Sequence, residues 1–322
     1  MSDISMNLAG IDTGKGELHV CLLPKDERFS VDNSKAGIAK LVARCVAAGV
    51  VRAGIEATSI YHRAAVKALR EAGIETAELQ PRQARGLAVA LLRRAKNDTI
   101  DAFIIARLVE VLNGPWKQPP APHLEALAEA LTYIEMIDDR LVVLKTQRER
   151  FTSKRFLDRF DKDIKALEKQ HRSELRRLVA RLRNDQAMSD KFDLLMSIPT
   201  VGERTAAAML IRMPELGSMT REQAASLLGV APFDDKSADR DGKRHIAGGR
   251  ARLRKTVYMA AFAGSQRWNE DLKRFYERLR AKGKVHNAAV TACTRKLIIL
   301  ANAVLMRGTP WQDKRGMPCL VR

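Results

Sequence analysis

Residues 7–23 read NLAGIDTGKGELHVCLL, and this stretch decides the fold of the N-terminal region. NLAGID and ELHVCLL are short, apolar and rich in strand formers, and the segment 13–16 between them can reverse the chain, so the pair reads as a β-hairpin. Beyond it, KAGIAKLVARCVAAG (35–49) has apolar residues at helical spacing and stops at Gly49. VRAGIEA (51–57) is another strand. YHRAAVKALREAG (61–73) is a helix, and IETAEL (74–79) a further strand segment. Residues 82–112 are helical with a break near 96–98. Strands followed by strand–helix alternation predict an α/β domain over 1–113.

GPWKQPPAP (114–122) places prolines at 119, 120 and 122, so it reads as a linker. The pattern then changes. Leu124, Leu127, Leu131, Ile134, Leu141 and Leu144 recur at spacings of three, four or seven among charged residues. Residues 123–190 therefore predict a pair of long amphipathic helices, either a coiled-coil spacer that joins subunits or a helical hairpin within one chain. Residues 191–322 form a mostly α C-terminal domain. It is interrupted by SIPTVGER and by a polar, glycine-containing loop, APFDDKSADRDGKRHIAGG (231–249).

The chain of 322 residues carries 57 Lys and Arg against 38 Asp and Glu, a formal charge of +19. Such an excess favours a polyanionic partner. No uninterrupted apolar run approaches the roughly 20 residues of a membrane span. The first residues lack the basic-then-apolar pattern of a secretion signal. Cys21, Cys45, Cys293 and Cys319 have neither metal-ligand nor disulfide-framework spacing. A reducing cytoplasm and no membrane role are the expectation. Aromatic residues are only 5% of the chain, which argues against base stacking as a main mode of binding.

Four carboxylates stand out. Asp12 ends the first strand in GID, Glu56 ends a later strand in GIE, and Asp98 and Asp101 lie three apart in KNDTIDA. Residues three apart share a helix face, and strand ends at one sheet edge open on a common crevice. Carboxylates gathered there repel one another unless a cation joins them, and oxygen ligands suit Mg²⁺ or Mn²⁺. Such ions activate an attacking oxygen and stabilise a leaving one in phosphodiester chemistry. Taken singly, Asp12 could cap a turn, Asp98 could cap a helix, and Glu56 could be a solvated strand end.

GIDTGK, GIEATSIYH and KNDTIDAFIIARL resemble the three blocks of the DEDD-type transposases of the insertion-sequence-110 family, relatives of the Piv-type DNA invertases. The resemblance implies an RNase H-like (RuvC-like) N-terminal fold with Asp12, Glu56, Asp98 and Asp101 as metal ligands. It continues through SIPTVGERTAAAML, LLGVAPFDDKS and GGRARLRKTVYMAAF. There it implies that Ser237 is a nucleophile forming a phosphoserine–DNA link, although Ala238 stands where the family usually has Gly. It further implies donor and target DNA as substrates, a bridge RNA that pairs with both, and a homo-oligomer, dimer or tetramer. From the residues alone, Ser237 reads as a loop serine that caps a turn.

Basic residues flank both motifs. Arg93, Arg94 and Lys96 precede the Asp98 pair, where they could seat a strand over the metals. Arg240, Lys243, Arg244, Arg250, Arg252, Arg254 and Lys255 follow Ser237 and, with Gly242, Gly248 and Gly249, form a candidate phosphate clamp. IPTVGERT resembles half of a helix–hairpin–helix, with Gly202 at the helix N-terminus where backbone N–H groups can meet a phosphate. Three functions remain open at this point: a recombinase, a hydrolytic nuclease of the Holliday-junction-resolvase type with water as nucleophile, and a non-enzymatic nucleic-acid scaffold.

Overall fold

The structure, a computed structural model, describes residues 6–91, 98–112, 122–233, 236–237, 240–241 and 245–312. It divides into two compact units, Met1–Pro119 and Pro120–Arg322.

In the first unit β1 (Leu8–Thr13) and β2 (Glu17–Leu23) pair antiparallel from Leu8↔Leu23 to Thr13↔Leu18. The Gly14 N–H closes the turn on the Glu17 carbonyl at 2.9 Å. A third strand, β3 (Glu27–Asp32), extends the meander. It went unread in the sequence because it is an edge strand in which only Phe29 and Val31 are apolar. The chain continues through α1 (Lys35–Ala47), β4 (Arg52–Glu56), α2 (Arg63–Glu71), β5 (Glu75–Leu79), α3 (Pro81–Ala90) and α4 (Asp98–Val111). The sheet order is β3-β2-β1-β4-β5, with β4 parallel to β1 and β5 parallel to β4. The N-terminal unit is thus a mixed α/β sheet, as the hairpin and the strand–helix alternation predicted.

Each face of the sheet has its own core. Ile11, Val20, Leu22 and Ile55 pack with Leu41 of α1 and Leu69 of α2. Leu8, Leu23, Ala77 and Leu79 pack with Ala84 of α3 and with Ile104, Ile105 and Leu108 of α4. Two glycines let α4 lie directly on the parallel pair. A Cβ at Gly10 would sit 2.2 Å from both the Ala102 carbonyl oxygen and the Ala106 nitrogen, and one at Gly54 would sit 2.4 Å from Val109 Cγ2. Backbone atoms cannot yield to the approach at Gly10, and at Gly54 the side chains of Val109, Leu79 and Ile105 would all have to shift, so both glycines let this helix pack closely.

The second unit is mostly helical. α5 (Pro122–Arg148) and α6 (Lys154–Arg183) run antiparallel and pair within the chain. Ion pairs join Lys145 to Glu168 (2.8 Å) and Arg148 to Asp161 (2.6 Å), and Gln170 donates to Tyr133 Oη at 2.7 Å. Pro122 opens α5, at a position where a proline costs no helical hydrogen bond. The linker expected over 114–122 otherwise lies outside the described residues.

Leu127, Leu131 and Ile134 of α5 and Leu178 and Leu182 of α6 share one core with the helices that follow. Those helices are α7 (Gln186–Met196), α8 (Glu203–Arg212), α9 (Arg221–Leu228), α10 (Ala251–Ala263), α11 (Glu270–Ala281) and α12 (His286–Arg307). A π-helical turn, Gly264–Trp268, ends α10.

One helix, α12, is long and apolar enough to cross a membrane by length and composition alone, although Arg295 and Lys296 interrupt its apolar run. α12 is 22 residues long with a mean hydropathy of 1.5 in its most apolar window. Cys293, Leu297, Ile298 and Val304 on its inner face line the core, and Asn302 bridges the Gly217 N–H (2.8 Å) and the Met219 carbonyl (2.7 Å). Its apolar length serves core packing. Cys21, Cys45 and Cys293 are free thiols, one in each of the three cores. Burial pushes Cys45 up to about 12 and Cys293 up to about 11, so neither is a thiolate at neutral pH.

Candidate functional site

The parallel register of β1 and β4 pairs Gly10 with Gly54 and Ile11 with Ile55. One step further along lie Asp12 and Glu56, each at the C-terminal end of its strand. Side chains alternate along a strand, so both carboxylates share the face of Gly10 and Gly54, the face that α4 covers. Ala102, whose carbonyl approaches Gly10, immediately follows Asp101 on α4. Asp12, Glu56 and Asp101 are each half-buried. Asp12 Oδ1 accepts from the Thr13 N–H at 2.9 Å, and the Thr58 hydroxyl donates to Glu56 Oε1 at 3.3 Å.

Asp98 opens α4, but its side chain lies outside the described residues. Among the described residues, no three His, Cys, Asp or Glu side chains gather closely enough to enclose a cation. The donors at this edge are carboxylate and hydroxyl oxygens, which fit a hard divalent ion and not a soft one.

Two residues beside this edge escaped the sequence reading. His19 stands opposite Asp12 in the β1–β2 register, so the hairpin sets a titratable ring beside the carboxylate. Asn33 joins the two loops that leave the carboxylate-bearing strands. Its Nδ2 donates to the Gly14 carbonyl at 2.9 Å and to the Tyr61 carbonyl at 3.1 Å, while its N–H donates to the Gly16 carbonyl at 2.9 Å. The next residue, Ser34, caps α1 by accepting from the Gly37 N–H. The far end of the second loop is fixed by buried His62, whose Nε2 is 3.2 Å from Glu78 Oε2, with Arg70 on the other oxygen of Glu78.

The serine lies in the second unit. The segment read as a plain loop contains two short ladders, β6 (Pro232–Phe233) with β9 (His245–Ile246) and β7 (Lys236–Ser237) with β8 (Arg240–Asp241). Their nested registers make a β-ribbon in which Ser237 pairs with Arg240. Side-chain contacts of Ser237 and Arg240 lie outside the described residues, as do Arg93, Arg94, Lys96, Lys243 and Arg244 altogether.

The base of the ribbon is braced from within. Arg250 makes a two-pronged pair with Glu215 (2.8 and 2.6 Å). Arg254 Nη1 donates to the carbonyls of Gly248 (2.6 Å), Leu228 and Gly229. A Cβ at Gly249 would lie 2.3 Å from the Gly229 nitrogen, so the close approach read there as room for a phosphate is made by the chain itself. Arg252 pairs with Glu135 and Lys255 with Asp139 across to α5, and both cations stay mostly exposed.

Gly202 is the N-cap of α8 and is exposed, with nothing within 4 Å of an added Cβ. The turn before it is held by Thr200, at φ 84°, whose hydroxyl donates to the Ala260 carbonyl at 2.5 Å. Asn269, just past the π-helical turn, donates to the Pro199 carbonyl at 3.2 Å. A β-branched residue at positive φ is strained, and this tether offsets the strain.

A mixed sheet with carboxylates at adjacent strand ends, followed by a helical unit in a chain of net charge +19, fits an enzyme that works on nucleic acid. Residues 9–160 match a DEDD-type family model described as Transposase, and residues 192–277 match one described as Transposase IS116/IS110/IS902 family. The chain belongs to the IS110 family of transposases and is a DNA recombinase of that class. It is similar to the Pilin gene-inverting protein of Moraxella bovis, 24% identical over 97% of this chain and 99% of the relative. The Moraxella lacunata protein of the same name matches to the same extent. An insertion element IS110 uncharacterized 43.6 kDa protein of Streptomyces coelicolor is 32% identical over 38% of this chain and 30% of that protein.

Proposed function

We propose that this transposase cuts and rejoins DNA through a phosphoserine intermediate formed by Ser237, assisted by an acidic centre in an RNase H-like domain over 1–113. The carrying observation is the placement of Asp12 and Glu56 at adjacent parallel strand ends beneath the helix that bears Asp101. Asp12, Glu56, Asp98 and Asp101 would hold Mg²⁺ or Mn²⁺, which when bound supplies Lewis-acid polarisation of the scissile phosphate.

The rest falls to the chain's own groups. The Ser237 oxygen forms a bond to phosphorus as it loses its proton, the bond to the departing strand breaks, and the departing oxygen takes up a proton. One phosphate ester replaces another, so rejoining by the reverse step requires no ATP. The β7–β8 ladder would present the serine, and Arg240, Lys243 and Arg244 would hold the phosphate. Gly202 would contribute backbone N–H groups to a second phosphate, and Arg93, Arg94 and Lys96 would seat a strand over the acidic centre. The name of the Moraxella relatives, which invert a gene, supports breakage with rejoining over simple hydrolysis.

Donor and target DNA are brought together in a homo-oligomer, dimer or tetramer, working in the cytoplasm. Exposed Val142 and Val143 on α5, beside a shallow apolar groove lined by Val143, Leu144 and Leu167, support subunit contact through the α5–α6 hairpin. Sequence choice falls to a bridge RNA. Sequencing the nucleic acid that copurifies with the protein tests this: one discrete structured RNA is expected, and random fragments alone would sink the guided reading.

Asn33→Ala is expected to weaken the centre without unfolding the unit. It removes two hydrogen bonds, a loss of about 1–3 kcal/mol, and frees the loops after Asp12 and Glu56. The stabilisation of the protein by Mn²⁺ in thermal unfolding should shrink, and cleavage should fall roughly tenfold to a hundredfold. Equal Mn²⁺ stabilisation in wild type and variant would remove Asn33 from the site.

A further inference from the structure

We infer that the solvent face of α6 is a docking surface for the phosphodiester backbone of duplex DNA. Lys162, Lys165, Lys169, Arg172 and Arg176 follow one another at spacings of three, four, three and four residues. That spacing lays them in one stripe along the helix, about 21 Å from first to last. All five are exposed.

Their charges are not consumed within the chain. None of the five forms an ion pair among the described residues, and Arg176 Nε reaches only the Arg172 carbonyl. Carboxylates do flank the stripe on the side toward α5, but they are engaged there. Asp161 takes both prongs of Arg148 (2.6 and 3.0 Å) and Glu168 takes Lys145 (2.8 Å). Those partners hold both carboxyls below their usual range, with smaller help from Lys165 and Arg172. Asp158, one turn before Lys162, is the acidic residue in line with the stripe. The acidic groups of α5, in contrast, are turned to other elements: Glu135 to Arg212 and Arg252, Asp138 to Arg204 and His171, Asp139 to Lys255. These carboxylates are thus engaged by cations of α5, α8 and α10 and by His171, and the row of cations on α6 is left outward.

The partner follows from this chemistry. Successive cations lie about 5 Å apart along a rigid rod, which suits a stiff polyanion of high linear charge. No aromatic side chain lies in the stripe, so a stacking platform for unpaired bases is missing from it. A row of cations without base-reading groups grips duplex backbone irrespective of sequence, which fits a protein whose sequence choice is made elsewhere. The inference rests on the DNA-acting reading but not on the acidic centre or Ser237.

Binding of a labelled random-sequence duplex by the full chain, followed by anisotropy over a series of NaCl concentrations, is the test. The triple variant Lys165→Gln/Lys169→Gln/Arg172→Gln should lower the slope of log K against log[salt] by about 2.7, at about 0.9 per lost phosphate contact. Circular dichroism should show unchanged helix content. Lys25→Gln/Lys35→Gln/Lys40→Gln removes the same charge from the other unit and should change the slope by less than one contact. An unchanged slope in the α6 variant overturns the docking surface, and so does an equal drop in both variants, which would reduce the effect to net charge. A drop for a structured RNA with none for the duplex overturns the assignment to DNA. Failure of the wild type to bind duplex at all sinks the DNA-acting reading itself.

Discussion

Asp12→Asn is expected to reduce DNA cleavage by about a thousandfold or more while leaving the protein folded. The substitution keeps shape and volume. The amide oxygen can still accept the Thr13 N–H that Asp12 Oδ1 accepts at 2.9 Å, so the strand end is preserved. What disappears is one negative charge at an edge where Glu56 and Asp101 supply the others. Losing an anionic oxygen ligand removes several kcal/mol of charge stabilisation at the reacting phosphate, and about 4 kcal/mol corresponds to roughly a thousandfold in rate. Single-turnover nicking of a DNA carrying the element's ends, measured beside the unfolding midpoint, separates the two effects. Cleavage at the wild-type rate in a folded Asp12→Asn protein would remove the acidic centre and leave the carboxylates as turn and helix caps.

The placement of Asp12 and Glu56 at strand ends was legible because its signals are local. GID and GIE announce strand ends, and the two glycines that mark them are the residues on which α4 rests. The N-terminal α/β order and the run of C-terminal helices follow from periodicity for the same reason. What could not be read depends on partners far along the chain. Asn33 acts on carbonyls 19 and 28 residues away. Arg250 looks like a phosphate ligand until its partner Glu215, 35 residues earlier, comes beside it. The cationic row on α6 is present in the sequence, but its meaning depends on which carboxylates α5 consumes. A low aromatic content gave no hint that Phe151, Phe156 and Phe160 would gather at the turn between α5 and α6, with ring centroids 5.5 and 5.3 Å apart. Composition reports an average and says nothing of where three such rings meet.

Ser237→Ala is expected to abolish strand transfer and the protein–DNA adduct, with a loss on the order of 10⁴-fold or more, as for removal of an enzyme's nucleophile. Ser237 pairs with Arg240 through backbone groups in β7 and β8, and that ladder does not depend on the hydroxyl. The fold and DNA affinity should therefore be unchanged, and the loss should fall on the chemical step. Wild-type protein quenched in denaturant during cleavage should carry DNA covalently, and the adduct should map to the peptide containing Ser237. Asp12→Asn and Ser237→Ala should each prevent adduct formation, so the adduct alone does not tell their roles apart. The nicked product instead tells serine from water as the nucleophile. If water were the nucleophile, Ser237→Ala would still nick DNA at the normal rate, and wild type would yield free ends with no bound protein. The reaction would then be that of a hydrolytic nuclease, and rejoining would need an energy source that hydrolysis discards. A phosphoserine link would instead keep that energy in the ester, ready for the reverse step.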